Sequence, residues 1–171
     1  HWSSASTSCL LARRGGARIV YTPQVMFDGR DLKWHSGSAF QEALDRAAAK
    51  PPGATIRVRA AHRAGSLEIE SEAALAGGRV AEADLYAAIT QSRLATDVRA
   101  GENKGERLVH DHVVRSLGKV GVVGATRRSL SHSRPLGPDW KSGDLAVVVW
   151  AEDRGTGEVL QAVRLAACPG G

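Results

Sequence analysis

The sequence predicts an α+β protein in two parts, a small α/β lobe over residues 1–50 and an antiparallel, β-sandwich-like lobe over residues 54–167. A helical spacing of apolar residues occupies 39–50, and Pro51-Pro52-Gly53 stops it. Beyond Gly53 the apolar period changes to two, and short strands follow one another closely, which is typical of a pair of packed sheets. The first lobe is too small to bury a core by itself.

The first lobe opens with a short helix from about Ser3 to Arg14, capped by serine hydroxyls. Ile19–Tyr21 and Val25–Phe27 then favour extended backbone, and Asp28-Gly29 favours a tight hairpin turn. Ser38 and Gln41 fit a capping box before a helix over about 39–50. Its predicted apolar stripe consists of Phe40, Ala43, Leu44, Ala47 and Ala48.

In the second lobe, Thr55–Arg59 and Ser66–Glu70 alternate polar and apolar residues, which predicts an antiparallel pair with one wet face. Further strands are predicted at 83–90, 107–117 and 159–165. Leu145–Trp150 is apolar throughout and therefore predicts a buried strand.

Thr22-Pro23, a short apolar strand and Asp28-Gly29-Arg30 resemble the second half of a thioredoxin-like domain, its β3-β4-α3 portion. That resemblance implies a cis peptide bond before Pro23. With Gly101–Gly105 and Val113–Arg115 added, the chain from about Ser3 to Leu165 is similar to a secreted thioredoxin-like family known as domain of unknown function 1223. The family implies a periplasmic or secreted location, although no signal peptide is visible, and it implies no established activity.

Members of that family open with a strand and a Cys-x-x-Cys motif, and here only Cys9 and Cys168 occur. We therefore expect no redox catalysis, no cofactor and two free thiols, with a disulfide as the alternative. The chain looks like a member that lacks its first strand, its motif helix and its second strand. The exposed edge so created predicts either packing on the β lobe or a homodimer formed by strand exchange.

The composition limits which other classes of protein the chain can belong to. Hydrophobic residues make up 43% and charged residues 24%, as in globular proteins. No apolar run approaches the roughly 18 residues of a membrane span. The net charge is +5, but the arginines are scattered and aromatic residues are only 5%, which disfavours nucleic-acid binding.

Two stretches are predicted to bind a peptide or another ligand. Thr22, Pro23 and Gln24 form the open strand edge, which can add an extended peptide or can be a structural kink. In the loop Gly101–Gly105, Glu102 and Asn103 offer an acid and an amide, with Arg115 in the same group of candidates. The alternative is a tight turn, in which Glu102 pairs with Arg99 or Arg115.

His110 and His112 predict a metal site as a further alternative, because residues two apart lie on one face of a strand. A third ligand would come from His62, Asp97 or His132, and without one these are surface histidines. Three serines surround His132, but no base is placed beside them, so no enzyme of the nucleophilic class is predicted. These serines are Ser129, Ser131 and Ser133.

Overall fold

The computed structural model describes residues 24–32, 37–78 and 80–166. Of these residues 57% lie in strands and 10% in helix, and the strands form antiparallel sheets. The strands are β1 (Val25–Phe27), β2 (Arg30–Leu32), β3 (Ala54–Arg63), β4 (Ser66–Leu75), β5 (Ala83–Gln91), β6 (Leu94–Asp97), β7 (Arg107–His110), β8 (Val113–Val123), β9 (Arg128–Pro135), β10 (Leu145–Asp153) and β11 (Val159–Ala166). Helix α1 spans Ala39–Ala49, and Ser142–Asp144 form a 3₁₀ turn.

The larger sheet has the strand order β11-β10-β5-β8. Its two central strands pair without a break from Leu145 opposite Gln91 to Asp153 opposite Ala83. The apolar run Leu145–Trp150 lies within β10, which confirms the predicted buried strand. Strands buried on both faces read as continuous apolar runs, and this explains why the run does not alternate.

The smaller sheet has the order β3-β4-β9, and here the polar–apolar alternation is clear. The outward face carries a column of arginines on β3, a column of glutamates on β4 and a column of serines on β9, which we call the charge ladder. Glu72 lies opposite both Arg57 and Ser129, and the ladder continues by steps of two residues. Its members are Arg57, Arg59, Arg63, Glu68, Glu70, Glu72, Ser129, Ser131 and Ser133.

The inner faces of the two sheets form one hydrophobic core. Leu67 on β4 and Leu85 on β5 are both fully buried, and each such side chain stabilises the fold by roughly 1.5–3 kcal/mol. A Cβ added at Gly121 would lie 2.7 Å from Leu130 Cδ1, so β8 and β9 approach closely at that point. The core therefore depends on a small residue as well as on large ones.

Beyond Gln91 the chain leaves the larger sheet as a two-stranded extension, β6–β7, which we call the arm. Arg93 and His112 both have φ of 56°, so both chain crossings into the arm are kinked. The Arg93 backbone N–H donates to Asp111 Oδ1 at 2.9 Å, and the His112 N–H donates to Ser92 Oγ at 3.2 Å. These bonds hold the two kinks side by side.

The predicted thioredoxin-like α/β lobe is wrong. In the described part of residues 1–50, a two-stranded hairpin with three residues in each strand accompanies one helix, and the three- and four-stranded sheets lie beyond Gly53. Of the helix stripe only Ala43 is buried, whereas Phe40 is 44% and Leu44 38% exposed. The spacing of apolar residues was right for a helix, but it does not reveal whether a sheet covers them. The predicted capping box does not form either, since Ser38 Oγ bonds Glu42 instead of a backbone N–H.

Several predictions fall outside the described residues: the first helix, the cis bond before Pro23, and the state of Cys9 and Cys168. The domain boundary at Pro51–Gly53 stays a prediction. At that point the Gly53 N–H donates to Leu160 O at 2.9 Å, so the segment after α1 is tied to β11.

Candidate functional site

A cleft of about 780 Å³ lies where the β1–β2 hairpin, the C-terminal end of α1 and the β10–β11 turn meet. An adjoining chamber of about 400 Å³ shares several of its walls, including Phe27, Lys50 and Glu158. The apolar part of the cleft wall consists of Phe27, Ala47, Pro51, Pro52, Ala76, Val80, Val159, Leu160 and Ala162. Concave sites with apolar walls and a few polar groups are typical ligand sites.

Two tight turns dock against each other beside this cleft. Asp28 and Gly29 have φ of 50° and 74°, as a two-residue hairpin turn requires. Asp28 Oδ1 accepts the backbone N–H of Val159 at 2.8 Å. A Cβ added at Gly29 would lie 2.3 Å from the carbonyl oxygen of Gly157, so only glycine permits this approach.

The opposing turn is organised by Asp153. Its Oδ1 accepts the backbone N–H groups of Gly155 at 2.7 Å and Thr156 at 2.9 Å. The bonds from Thr156 and Gly155 lower the pKa of Asp153, because they stabilise the charged carboxylate. The carboxylate is therefore ionised at neutral pH.

Lys50, just beyond the end of α1, joins the two turns. Its Nζ donates to Glu158 Oε1 at 2.9 Å and to Asp28 Oδ2 at 3.0 Å. The bond to Glu158, followed by that to Asp28, raises the pKa of Lys50, so the amine is an ammonium ion at neutral pH. The Lys50 side chain is 50% exposed, and it lines both chambers.

The chemistry of the cleft favours binding over catalysis. Its described lining residues include three carboxylates, Asp28, Asp153 and Glu158, against the single ammonium of Lys50. The Thr156 hydroxyl accepts the Glu158 N–H at 3.2 Å and is hydrogen-bonded to Asp153, whose lowered pKa makes it a weak base. A charged lysine is also a poor nucleophile.

The predicted strand edge lies partly outside the described residues, since Thr22 and Pro23 are not among them. Gln24 is described, and its buried Nε2 has no acceptor in that part of the chain. Within the same part, β1 pairs only with β2.

The structure places the second predicted stretch, Gly101–Gly105, at the tip of the arm, with Glu102 and Asn103 exposed. Gly101 and Gly105 have φ of 86° and 94°, and the Lys104 N–H donates to Gly101 O at 3.1 Å, as in a tight turn. The cleft lies near Ala83 at the start of β5, because Asp153 is opposite that residue, whereas the arm follows the end of β5. The loop Gly101–Gly105 and the cleft are thus at opposite ends of β5.

Arg115 contacts neither Glu102 nor the cleft. Its guanidinium pairs with Asp139 at 2.5 Å and lies 5.2 Å from the ring centroid of Trp140. The bond from Arg115 lowers the pKa of Asp139. Arg115 therefore contacts the segment that follows β9. No pattern in the sequence indicates this contact.

The predicted metal pair does not share a strand face. His110 is the last residue of β7. His112 itself forms the kink, with φ of 56°, and its Nδ1 lies 3.4 Å from Ser92 Oγ. No three His, Cys, Asp or Glu side chains are grouped to hold a metal anywhere in residues 24–32, 37–78 and 80–166. His132 lies opposite Ile69 on the inner face, and its pKa is lowered by burial and by Arg134. The neighbouring serines lie on the outer face, away from this imidazole.

Sequence reasoning missed Lys50 and Glu158. Both turns were recognisable, as Asp28-Gly29 and Asp153–Gly157, but 108 residues separate Lys50 from Glu158. Local patterns carry no signal for such a pairing.

No helix among the described residues has both the length and the apolar character needed to cross a membrane.

Solved structures resemble the fold. A protein from Agrobacterium tumefaciens, AGR_C_4864, is 18% identical, with a TM-score of 0.64 over 99% of this chain and 73% of its own. HBP35 of Porphyromonas gingivalis is 10% identical, with a TM-score of 0.65 over 92% of this chain and 56% of its own. A domain of the outer membrane lipoprotein Omp28 from the same organism is 13% identical, with a TM-score of 0.48 over 71% of this chain and 93% of its own.

At these low identities, the likeness to AGR_C_4864 and HBP35 shows a shared fold alone. No curated protein matches the chain significantly. The family described as a protein of unknown function (DUF1223) matches residues 9–152. Because that match covers most of the sequence, the chain belongs to the DUF1223 family.

Proposed function

We propose that this protein is a binding module without redox catalysis, and that its cleft receives an extended peptide with cationic and apolar side chains. The observation that supports this is an apolar-walled cleft of about 780 Å³ whose lining includes three carboxylates and one ammonium. Hydrophobic walls supply affinity, and the uncompensated carboxylates select the sign of the ligand's charge.

The local charge supports a cationic ligand. The chain as a whole carries +5, so an acidic cleft is the opposite of what its composition favours. Asp28 and Glu158 are bridged by Lys50, which is half exposed and can move aside for a competing cation. A lysine or arginine of the ligand would then take the place of the Lys50 ammonium.

The position of β1 supports an extended ligand. Phe27, the last residue of β1, lines both chambers, so the strand and the cleft are continuous. In the described part of the chain, one side of β1 pairs with β2 and the other carries no strand. An extended peptide adds to such an edge by main-chain hydrogen bonds. In this proposal Thr22 and Pro23 also contact the ligand, and the Nε2 of Gln24 donates to a ligand carbonyl.

The test is fluorescence anisotropy with two labelled short peptides, one alternating valine with lysine and the other alternating valine with glutamate. We expect saturable binding of the lysine peptide and none of the glutamate peptide. Glu158→Gln should weaken binding about fivefold or more, because it removes one ion pair. Lys50→Met should strengthen binding, because it removes the internal competitor.

Glu70→Gln is the matched control, since it makes the same change on the charge ladder of the other sheet and should leave binding unchanged. Equal affinity for the two peptides, or no saturation by the lysine peptide, would contradict the proposal.

The absence of redox catalysis has its own test, insulin reduction followed by turbidity. A Cys-x-x-Cys pair is needed for rapid thiol exchange, and the sequence has none. We expect no turnover above the dithiothreitol background, and measurable turnover would overturn this part of the proposal.

We further propose that the protein is exported to the periplasm or beyond. The sequence resemblance to a secreted family supports this location. Cell fractionation of the natural host with an antibody to the protein should place it with a periplasmic marker, and recovery with a cytoplasmic marker would contradict export.

A further inference from the structure

We propose that two copies of this chain associate through β7, whose free edge pairs antiparallel with the same edge of the partner about a two-fold axis through Val109.

The edge of β7 is open and partly apolar. Within the described ranges β7 pairs with β6 on one side only. Val109 is 61% exposed and Leu108 is 37% exposed. An unpaired edge with exposed apolar side chains is a template for pairing with another chain, and natural proteins either cover it or use it.

The hydrogen bonds of the arm show which main-chain groups point outward. The Val98 N–H donates to Glu106 O at 2.9 Å, so the Glu106 carbonyl faces β6. In an antiparallel ladder this direction alternates along the strand. The main-chain groups of Leu108 and His110 therefore also face β6, and those of Arg107, Val109 and Asp111 face outward.

Only one of the possible registers sets opposite charges against each other. An axis through Val109 sets Val109 against the partner's Val109 and Arg107 against the partner's Asp111. An axis through Leu108 would set Arg107 against the partner's Val109, and an axis through His110 would set Val109 against the partner's Asp111, so neither makes an ion pair. An axis through Arg107 or Asp111 would set two like charges directly opposite each other, which is destabilising.

The proposed pairing thus makes two Arg107–Asp111 ion pairs around a central valine pair. Asp111 directly follows β7, and its Oδ1 accepts the Arg93 N–H at 2.9 Å, which restrains the carboxylate. Arg107, Val109 and Asp111 are all exposed in the single chain, so the association needs no rearrangement of the core.

Sedimentation velocity of the full chain tests the proposal between about 10 µM and 1 mM, where weak dimers dissociate measurably. We expect the weight-average mass to rise reversibly from that of one chain toward that of two. A wild-type chain that remains monomeric throughout would overturn the proposal.

Charge exchange tests the register. Arg107→Asp alone and Asp111→Arg alone should each be monomeric, because each creates two like-charge pairs. An equimolar mixture of the two variants should form a heterodimer, and the double variant should dimerise as the wild type does. Lys104→Asp, which makes a similar charge change at the tip of the arm, should leave dimerisation intact.

Circular dichroism and the thermal midpoint establish that each variant is folded. If Asp111→Arg does not fold because its contact with Arg93 is lost, Arg107→Asp and Val109→Lys decide instead, and both should be monomeric. Dimerisation of Arg107→Asp at the wild-type concentration would contradict the proposed register.

Discussion

The sandwich core and the cleft are built by different forces. In the core, Leu85 and Val147 from neighbouring strands are fully buried, and the main chain is paired along nine residues. Beside the cleft, α1 buries only Ala43, and the joint depends on Lys50 with its two carboxylate partners. The stability of the core should therefore depend on side-chain volume. The stability of the joint beside the cleft should depend on steric fit, pH and salt concentration.

The largest effect is expected in the core. Leu85→Ala removes a side chain with no exposed surface, and such substitutions cost about 2–5 kcal/mol from lost burial and the cavity left behind. Urea denaturation should show this as a lower midpoint with an unchanged slope. A loss below about 1 kcal/mol would mean that the core can collapse around the site, contrary to the close packing described.

A methyl group at the turn–turn contact should have the next largest effect. Gly29→Ala strains a left-handed residue and also forces a methyl group against the carbonyl oxygen of Gly157. Gly65→Ala is the matched control, because its φ of 78° is nearly the same and nothing lies within 4 Å of the added Cβ. We expect Gly29→Ala to cost about 1–3 kcal/mol more than the control.

Amide hydrogen exchange locates that effect. The Val159 N–H, which donates to Asp28, should exchange faster in Gly29→Ala and at the wild-type rate in Gly65→Ala. Equal costs for the two variants would contradict a tight contact between the turns.

Asp153→Asn should give a smaller effect with an acidic pH dependence. The pKa of Asp153 is lowered by its bonds from Thr156 and Gly155, so the carboxylate stabilises the folded state above its ordinary pKa of 3.8. That stabilisation disappears as the pH falls through the lower pKa of the folded state. The stability difference between wild type and variant should therefore be constant from pH 5 to 8, at about 1 kcal/mol, and should vanish in strong acid. A difference that persists there would contradict the assignment.

Lys50→Met should have the smallest effect, below about 1 kcal/mol, because the side chain is half exposed and screened by solvent. The raised pKa of Lys50 means that its stabilisation is present below the ordinary value of 10.5 and is lost above it. Thermal midpoints of the two proteins should therefore converge above pH 10.5 and also at high salt. Lys104→Met, at the exposed arm tip, should show no such convergence.

Local periodicity predicted β3, β4 and β10, because burial imposes a period of two on β3 and β4 and a continuous apolar run on β10. The single strand predicted over 107–117 is instead two strands, β7 and β8. The family was also identified from motifs spread along the chain, and the match of DUF1223 to residues 9–152 confirms it. The thioredoxin-like lobe was wrong, because the apolar spacing of Phe40 and Leu44 fixes a helix without specifying what covers it.

The candidate site residues were less predictable, because their contacts depend on how distant parts of the chain pack together. A strand through His110–His112 fails because His112 adopts a left-handed conformation, which non-glycine residues seldom do. Arg115 pairs with Asp139, and Lys50 pairs with Glu158, and these partners lie 24 and 108 residues apart in the sequence. Such pairs depend on tertiary geometry that no short sequence pattern encodes.

The charge ladder has one further consequence. Its three arginines and three glutamates sum to zero, with Arg63 and Glu68 in contact at 2.9 Å. Because opposite columns lie one strand apart, their potentials cancel within a Debye length of about 8 Å at physiological salt. This face carries many charges but produces little electrostatic potential at a distance. The long-range electrostatic field of the protein therefore originates from its other surfaces.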